Sequence, residues 1–288
     1  MNMPFRVALL LCAATLAACG TAKLDVDLTV GGAFAADRLQ GTVAAVELLD
    51  EQGELHKLDL ALDSDDELDI TSYGNGASLR LAEDAELPAG HYTGLRVRFN
   101  SPATLRLEDG TVYTLTQQTS GGFAALDLTL ADSESANLVV VMDLRFSLAD
   151  QRSSSGSFDF SPVLSAYLAE DGASVQGRIG EATLDAAGCR SSGTLRAGAA
   201  IYAFAGSAAS PSDYARDRSP NPLASTSLEL DDGDYVYTLP TLAAGSYTLA
   251  LTCDADSDSA DAANGIGFSN SRAITLDEGE AATLNIGS

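Results

Sequence analysis

From Lys23 to Val30 the chain alternates without a break. Leu24, Val26, Leu28 and Val30 fall on one side, and Asp25 and Asp27 on the other. A period of two sends successive side chains to opposite faces of an extended chain, so this segment buries its apolar face only as a strand. Similar alternation runs through Leu55 to Leu62, Tyr92 to Phe99, Leu105 to Leu107 and Ala125 to Leu130. Val139 to Phe146 is more continuously apolar and predicts a central strand covered on both faces. No segment of helical length carries a 3.6-residue stripe. Short helices are expected at most around Ala33 to Leu39 and Asp213 to Arg218.

Turn chemistry separates these strands. Asp109-Gly110 sits between Leu105-Arg-Leu107 and Val112 to Leu115, and Asp232-Gly233 sits between Leu228-Glu-Leu230 and Tyr235 to Leu239. Glycine accepts the positive φ that a tight hairpin turn requires. Glu51-Gln-Gly53-Glu54 joins two further strands in the same manner. Many short strands at regular spacing predict an all-β chain made of β-sandwiches. There is also an internal echo. Leu87-Pro-Ala-Gly90-His-Tyr92 opens a strand in the first half, and Leu239-Pro followed by Gly245-Ser-Tyr247 opens one in the second. It predicts two related sandwich domains that meet near Gly177 to Gly180.

The first twenty residues read as an export signal. Arg6 precedes the apolar run Val7 to Leu16, and small residues follow. The run is too short to span a bilayer, which takes about 20 apolar residues. Leu16-Ala-Ala-Cys19 resembles the lipobox of bacterial lipoproteins, which implies that Cys19 is acylated and opens the mature chain. The expected organisation is a lipoprotein signal peptide at 1–18, a lipidated tether at 19–22, a first sandwich at 23–178 and a second at 179–288. Gly20 after the cysteine is, by the same resemblance, compatible with transport to the outer membrane.

The formal charge is −25. Such a surface repels the phosphates of nucleic acids and anionic lipids, and it attracts cations. Lys23 and Lys57 are the only lysines, so no polybasic patch assists membrane binding and attachment must come from the acyl chains. Cys12 leaves with the signal and Cys19 is the acylation site. Cys189 and Cys253 remain as an even pair in an exported protein, for which a disulfide is the default. Closing that loop stabilises a fold by roughly 4 kcal/mol. A free thiol or metal site there is disfavoured, since there is no C-x-x-C and the only histidines are His56 and His91.

With these residues in view, Leu24 to Arg178 resembles a family of bacterial lipoproteins built on a β-sandwich domain of unknown function. The matching features are the opening strand, Leu68-Asp-Ile70 leading to Gly74-Asn-Gly76, the Leu87-Pro-Ala-Gly90-x-Tyr92 turn and Phe158-Asp-Phe160-Ser-Pro162. Residues 181–288 resemble a transthyretin-like, carboxypeptidase-regulatory type of sandwich. Ala199 to Phe204, Gly245 to Leu251 and Ala282 to Ile286 carry that likeness. The resemblance implies non-catalytic modules and brings no catalytic residue.

Four places could carry chemistry. Asp254, Asp256, Asp258 and Asp261 alternate after Cys253, and spaced carboxylates suit Ca²⁺, which takes six to eight oxygens. The first three match the opening ligands of an EF-hand loop, but Ser259 stands where that loop needs glycine and Gly265 where it needs glutamate. A solvated acidic loop is the simpler account, and a sandwich-type Ca²⁺ loop stays open. Asp63 to Glu67 is a second acidic cluster, simplest as a charged turn. Gly206 to Ser225, with Asp213, Arg216 and Arg218, is long for a sandwich connection and is either a binding loop or a mobile one. His56 and His91 sit at strand or turn positions, and Asp127 and Asp143 have no assigned cleft. No G-x-S-x-G elbow or paired metal motif occurs, and without tryptophan a stacking platform for sugars or bases is poorly supported.

These features predict a lipid-anchored envelope protein that acts as a non-catalytic binding or structural module. Its expected partners are the membrane, through acyl chains, and an envelope protein or glycan. A calcium-dependent adhesion or ligand-binding protein and an envelope hydrolase are the alternatives.

Overall fold

The computed structural model describes residues 20–287, apart from 33, 35, 64–65, 75, 118–121, 153–154, 190–197 and 262. The signal segment, Cys12, Cys19 and Asp65 of the second acidic cluster lie outside the described residues. The described chain is all-β. Its first unit holds three sheets around one continuous core. In the first sheet Thr21–Gly31 lies between Ser135–Asp143, parallel to it, and Leu79–Pro88, antiparallel, with Leu164–Leu168 beyond Ser135–Asp143. The alternation that opens the chain now has its cause. Leu24, Val26 and Leu28 are fully buried, whereas Asp25 and Asp27 face Arg80, which pairs with both.

The second sheet runs in the order Ala124–Leu130, Gly90–Phe99, Val43–Asp50, Leu55–Lys57. The third runs Leu148–Gln151, Ser157–Phe160, Val112–Gln117, Ala103–Leu107, Ala36–Gly41, Leu68–Asp69. The second unit is a two-sheet sandwich. One sheet is Glu229–Asp231, Asp234–Leu242, Ala173–Ile179, Ala281–Thr283, and the other is Ala224–Ser227, Ala200–Ala205, Gly245–Thr252, Phe268–Leu276. Val175, Ile179, Ile201, Tyr237, Leu249 and Leu251 fill it. Gly177 is required where the chain end crosses Ala173–Ile179, because a Cβ there would strike the Leu284 carbonyl and the Tyr237 ring.

The tyrosine of each echo packs inward and is anchored in the same way. Tyr92 Oη donates to the Pro88 carbonyl at 2.7 Å, and Tyr247 Oη donates to the Ala243 carbonyl at 2.7 Å. Both rings are buried, so the hydroxyl must find a partner inside. The turn four residues upstream supplies it.

Several expectations change. Thr21 and Ala22, read as tether, already belong to the opening strand, and Ala22 is buried. Ala173–Ile179, read as the end of the first domain, pairs with Asp234–Leu242 and Ala281–Thr283 and so lies in the second unit. Residues 33–39 contribute a strand, Ala36–Gly41, in place of a helix, and no helix covers 213–218. The apolar run 139–146 is strand only to Asp143. That carboxylate accepts the Phe146 N–H at 3.2 Å and caps a four-residue helical turn, Leu144–Ser147. The segment 55–62 keeps only Leu55–Lys57 as strand. A helix that the periodicity does not signal, Glu181–Ala187, precedes Cys189. No helix among the described residues is long and apolar enough to cross a membrane.

Candidate functional site

Cys189 and Cys253 form a disulfide across a sequence separation of 64, joining the end of Glu181–Ala187 to the end of Gly245–Thr252. The acidic run begins at the next residue, and the structure shows what it meets. A short segment of the first unit, Asp143 to Gln151, enters between the long loop 206–223 and the acidic loop 254–264 of the second. Phe146, fully buried, stacks on Tyr214 with ring centroids 4.4 Å apart and meets Tyr202 edge-on at 5.8 Å. Ala149, Ala200, Phe204, Ala250 and Ala260 complete this apolar patch between the units.

Polar contacts ring the patch. Asp143, 3% exposed, accepts the Ser225 N–H at 2.7 Å and the Ser225 hydroxyl at 3.0 Å. Ser225 returns its carbonyl to the Gly32 N–H at 2.9 Å. Gly32 is obligatory here, since φ is +110° and a Cβ would lie 2.6 Å from both the Asp143 carboxylate and the Leu144 nitrogen. Burial pushes the Asp143 carboxyl up to about 6, against the pull of its hydrogen bonds and of Arg145.

Arg145, 4% exposed, crosses from the first unit into the acidic loop. Its guanidinium donates to the Asp258 carbonyl at 3.1 Å, lies 3.6 Å from the Asp256 carboxylate and sits over the Phe34 ring. Asp258 turns inward, where Oδ2 accepts the Tyr202 hydroxyl at 2.7 Å. Its Oδ1 is buried without a hydrogen-bond partner among the described residues. Burial therefore raises the Asp258 carboxyl above the ordinary range, and desolvation together with that charge raises Tyr202 as well. Asp261 bonds Ser259 and Gln151, and Ser259 Oγ accepts the Asp150 N–H at 3.1 Å.

Three of the four loop carboxylates are thus turned to different partners, Asp256 to Arg145, Asp258 to Tyr202 and Asp261 to Ser259 and Gln151. Among the described residues, the acidic, His or Cys groups of three or more whose ligand atoms lie within 4.8 Å of one another are confined to Asp50, Glu54 and His56. Within the Asp254–Asp261 loop, the Arg145 guanidinium approaches Asp256 and the Asp258 carbonyl. The Asp50 cluster has its own structural account. Asp50 Oδ1 accepts the Gln52 and Glu54 N–H groups at 3.0 and 2.7 Å, and Oδ2 meets His56 Nε2 at 2.9 Å. These bonds, that to His56 first, hold Asp50 below the usual carboxylate range and tie a hairpin turn. His91 pairs with Asp127 at 2.9 Å, chiefly through which its imidazole is held above its usual range.

The long loop serves the same junction. Arg216 donates to the Ser147 carbonyl at 3.3 Å. Arg218 bonds Asp213, which also accepts the Gly265 N–H at 2.9 Å. Burial opposes ionisation of Asp213, but these donors outweigh it and hold its carboxyl low. Asn221 folds back on Ala215 and Arg218 and fixes the loop internally.

Beside the junction lies an open cleft of about 600 Å³. Phe34, Leu107 and Leu148 line one side, Asp256, Ser257 and Asn264 the other, with Arg145 and Arg152 between. Arg152 is paired with Asp150 at 2.6 Å and lies over Phe158. The cleft offers paired charges, hydroxyls and an amide beside an apolar wall. Within it no nucleophile is hydrogen-bonded to a histidine base among the described residues. Asp143, Arg145 and Phe146 are the junction residues that sequence reasoning left without a role. The available signal was an aspartate at the end of an apolar strand, followed by a charged residue inside that apolar run.

Residues 21–162, which span most of the first unit, match the family model of a domain of unknown function, DUF4382. No curated protein matches the chain. Among solved structures, the TIE protein of Bacillus anthracis is similar at 12% identity, covering 93% of this chain and 33% of that one, with a TM-score of 0.22. The minor pilin GBS52 of Streptococcus agalactiae is similar at 11% identity, covering 91% and 94%, with a TM-score of 0.19. A candidate adhesin from Bacteroides ovatus is similar at 12% identity, covering 90% and 88%, with a TM-score of 0.21. The chain spans about a third of the first of these proteins. Likeness at these TM-scores carries no argument about fold or function.

Proposed function

We propose that this protein is a lipid-anchored, non-catalytic module of the bacterial envelope that binds or bridges through two rigidly joined sandwiches. The observation that supports it best is the use made of the reactive side chains. Asp143, Arg145 and Arg216 reach from one unit to the other, and Asp213 and Asp258 are tied to partners within the second, which suits a scaffold more than a catalyst. The cleft beside the junction is the natural place for a ligand, because concave sites form preferentially between domains. The Cys189–Cys253 bridge suits an oxidising compartment outside the cytoplasm. The lipobox at Cys19 supplies the address.

The reading is tested by fractionating cells that express the full chain and Cys19→Ala. The native chain should sediment with membranes and float with lipid, and the variant should become soluble. A variant that remains membrane-bound would overturn the anchor. Turnover of an envelope polymer or ester substrate by the purified protein, lost on changing a cleft residue such as Asp256→Ala, would overturn the non-catalytic assignment.

A further inference from the structure

The fold begins almost at the acylation site. The Gly20 carbonyl accepts the Ala89 N–H at 2.7 Å, and Thr21 stands opposite Pro88 in the sheet. On the other side the Ser133 N–H donates to the Thr21 carbonyl at 2.8 Å and the Lys23 N–H to the Glu134 carbonyl at 2.8 Å. Gly20 also lies so close to Asp132 that a Cβ on it would strike that side chain. Gly20 is therefore stitched between two turns, 88–90 and 131–134. The next Cα along a chain is about 3.8 Å away, so the point at which an acyl anchor joins the chain at position 19 is within reach of these turns.

The rim they form suits close approach. Gly90, Ala131, Asp132, Ser133 and Glu134 are exposed and carry no large side chain that would hold the fold off a surface. Asp132 and Glu134 oppose anionic headgroups, which leaves zwitterionic ones as the compatible contact. The junction and the cleft lie at the other end of the same opening strand, at Gly31 and Gly32. At about 3.3 Å per residue, that end is roughly 35 Å away.

We infer that the rim 88–90 with 131–134 is a membrane-facing surface that rests on zwitterionic lipid headgroups and holds the interdomain cleft away from the bilayer. The inference rests on the proposed acylation of Cys19, and its test is arranged to be independent of it. The mature chain from Cys19 has one free thiol, since Cys189 and Cys253 are bridged. That thiol is coupled to a maleimide lipid in phosphatidylcholine vesicles that contain a nitroxide-headgroup lipid. A fluorophore is carried on an encoded noncanonical residue in place of either Asp132 or Ser257.

Quenching should be several-fold stronger at position 132 than at 257. Inserting ten Gly/Ser residues between Cys19 and Gly20, a linker with a reach of roughly 17 Å, should leave position 132 the more strongly quenched, because the rim and not the tether alone makes the contact. Equal quenching at the two positions without the insertion, or stronger quenching at 257, would overturn the inference. So would a contrast that the insertion abolishes. Because the coupling is chemical, these outcomes do not depend on whether cells acylate Cys19, which the Cys19→Ala fractionation reports separately.

Discussion

In the first unit Tyr92 is anchored to the carbonyl four residues upstream, and in the second Tyr247 is anchored in the same way. The two units diverge in what secures them beyond that shared corner. The first has three sheets packed around a single large core and no covalent bridge. The second has two four-stranded sheets, a disulfide, and two long loops closed over a segment of its neighbour. The asymmetry follows from size. A larger unit buries a greater share of its surface and stands on apolar packing, while a smaller one gains more from a staple. The second unit is thus the dependent partner, held by Cys189–Cys253 inside and by Asp143, Arg145 and Phe146 from outside.

The largest break in that comparison comes from removing the staple. The double variant Cys189→Ser, Cys253→Ser should cost about 4 kcal/mol by chain entropy. The loss should fall on the second unit. Hydrogen exchange should accelerate in Ala200–Ala205 and Gly245–Thr252 and stay slow in Thr21–Gly31. Equal acceleration in both units would show that they unfold as one body. Phe146→Ala should cost about 3 kcal/mol, because it empties a fully buried site stacked on Tyr214. Here both units should remain folded, while calorimetry resolves two transitions in place of a coupled one. A single unshifted transition would deny the patch its role in joining them.

A smaller effect sharpens the same junction through pH. The Asp143 carboxyl is raised to about 6 in the folded chain, from an ordinary value of 3.8. The folded form therefore holds the proton more tightly than the unfolded form. Its contribution is fully present below the unfolded value and is lost as pH rises through 6. Stability should be greater at pH 5 than at pH 7 by about 1 kcal/mol from this group. Asp143→Asn should flatten that step in urea titrations at the two pH values. If the step persists in the variant, another group such as Asp258 governs it.

The strands were legible because their signal is local. Leu24, Val26 and Leu28 report their face within a few residues, and Asp109-Gly110 marks its turn by itself. The disulfide was legible because removing Cys12 and Cys19 leaves only one pair. The junction was not. Asp143 and Ser225 lie 82 positions apart, and Arg145 and Asp258 lie 113 apart, so no window along the chain contains both halves of either contact. The passage to the second unit was misplaced for a related reason. Ala173–Ile179 alternates like any strand, and only its partners at 234–242 and 281–283 reveal which sandwich it joins. An alternating carboxylate run, finally, suits a solvated loop and a cation site alike.

That ambiguity yields the smallest expected effect. The Asp254–Asp261 loop has the composition of a Ca²⁺ site, yet the Arg145 guanidinium already reaches it, near Asp256 and on the Asp258 carbonyl. Asp258 meanwhile faces Tyr202, and Asp261 faces Ser259 and Gln151. A Ca²⁺ ion would have to displace the Arg145 guanidinium from Asp256 and the Asp258 carbonyl, or turn Asp258 out of the interior. Either step breaks a buried charged contact, which is costly. Millimolar Ca²⁺ should therefore leave the melting temperature unchanged, and Asp256→Asn, at a largely exposed position, should shift it little. Occupancy at a hundred times Kd would stabilise the fold by about 2.7 kcal/mol, so a thermal melt reads the answer directly. A rise with Ca²⁺ that Asp256→Asn abolishes would mean that the loop gathers its carboxylates on a metal and that the grip of Arg145 yields. The second unit would then be secured by an ion, and its dependence on the first would be conditional on calcium.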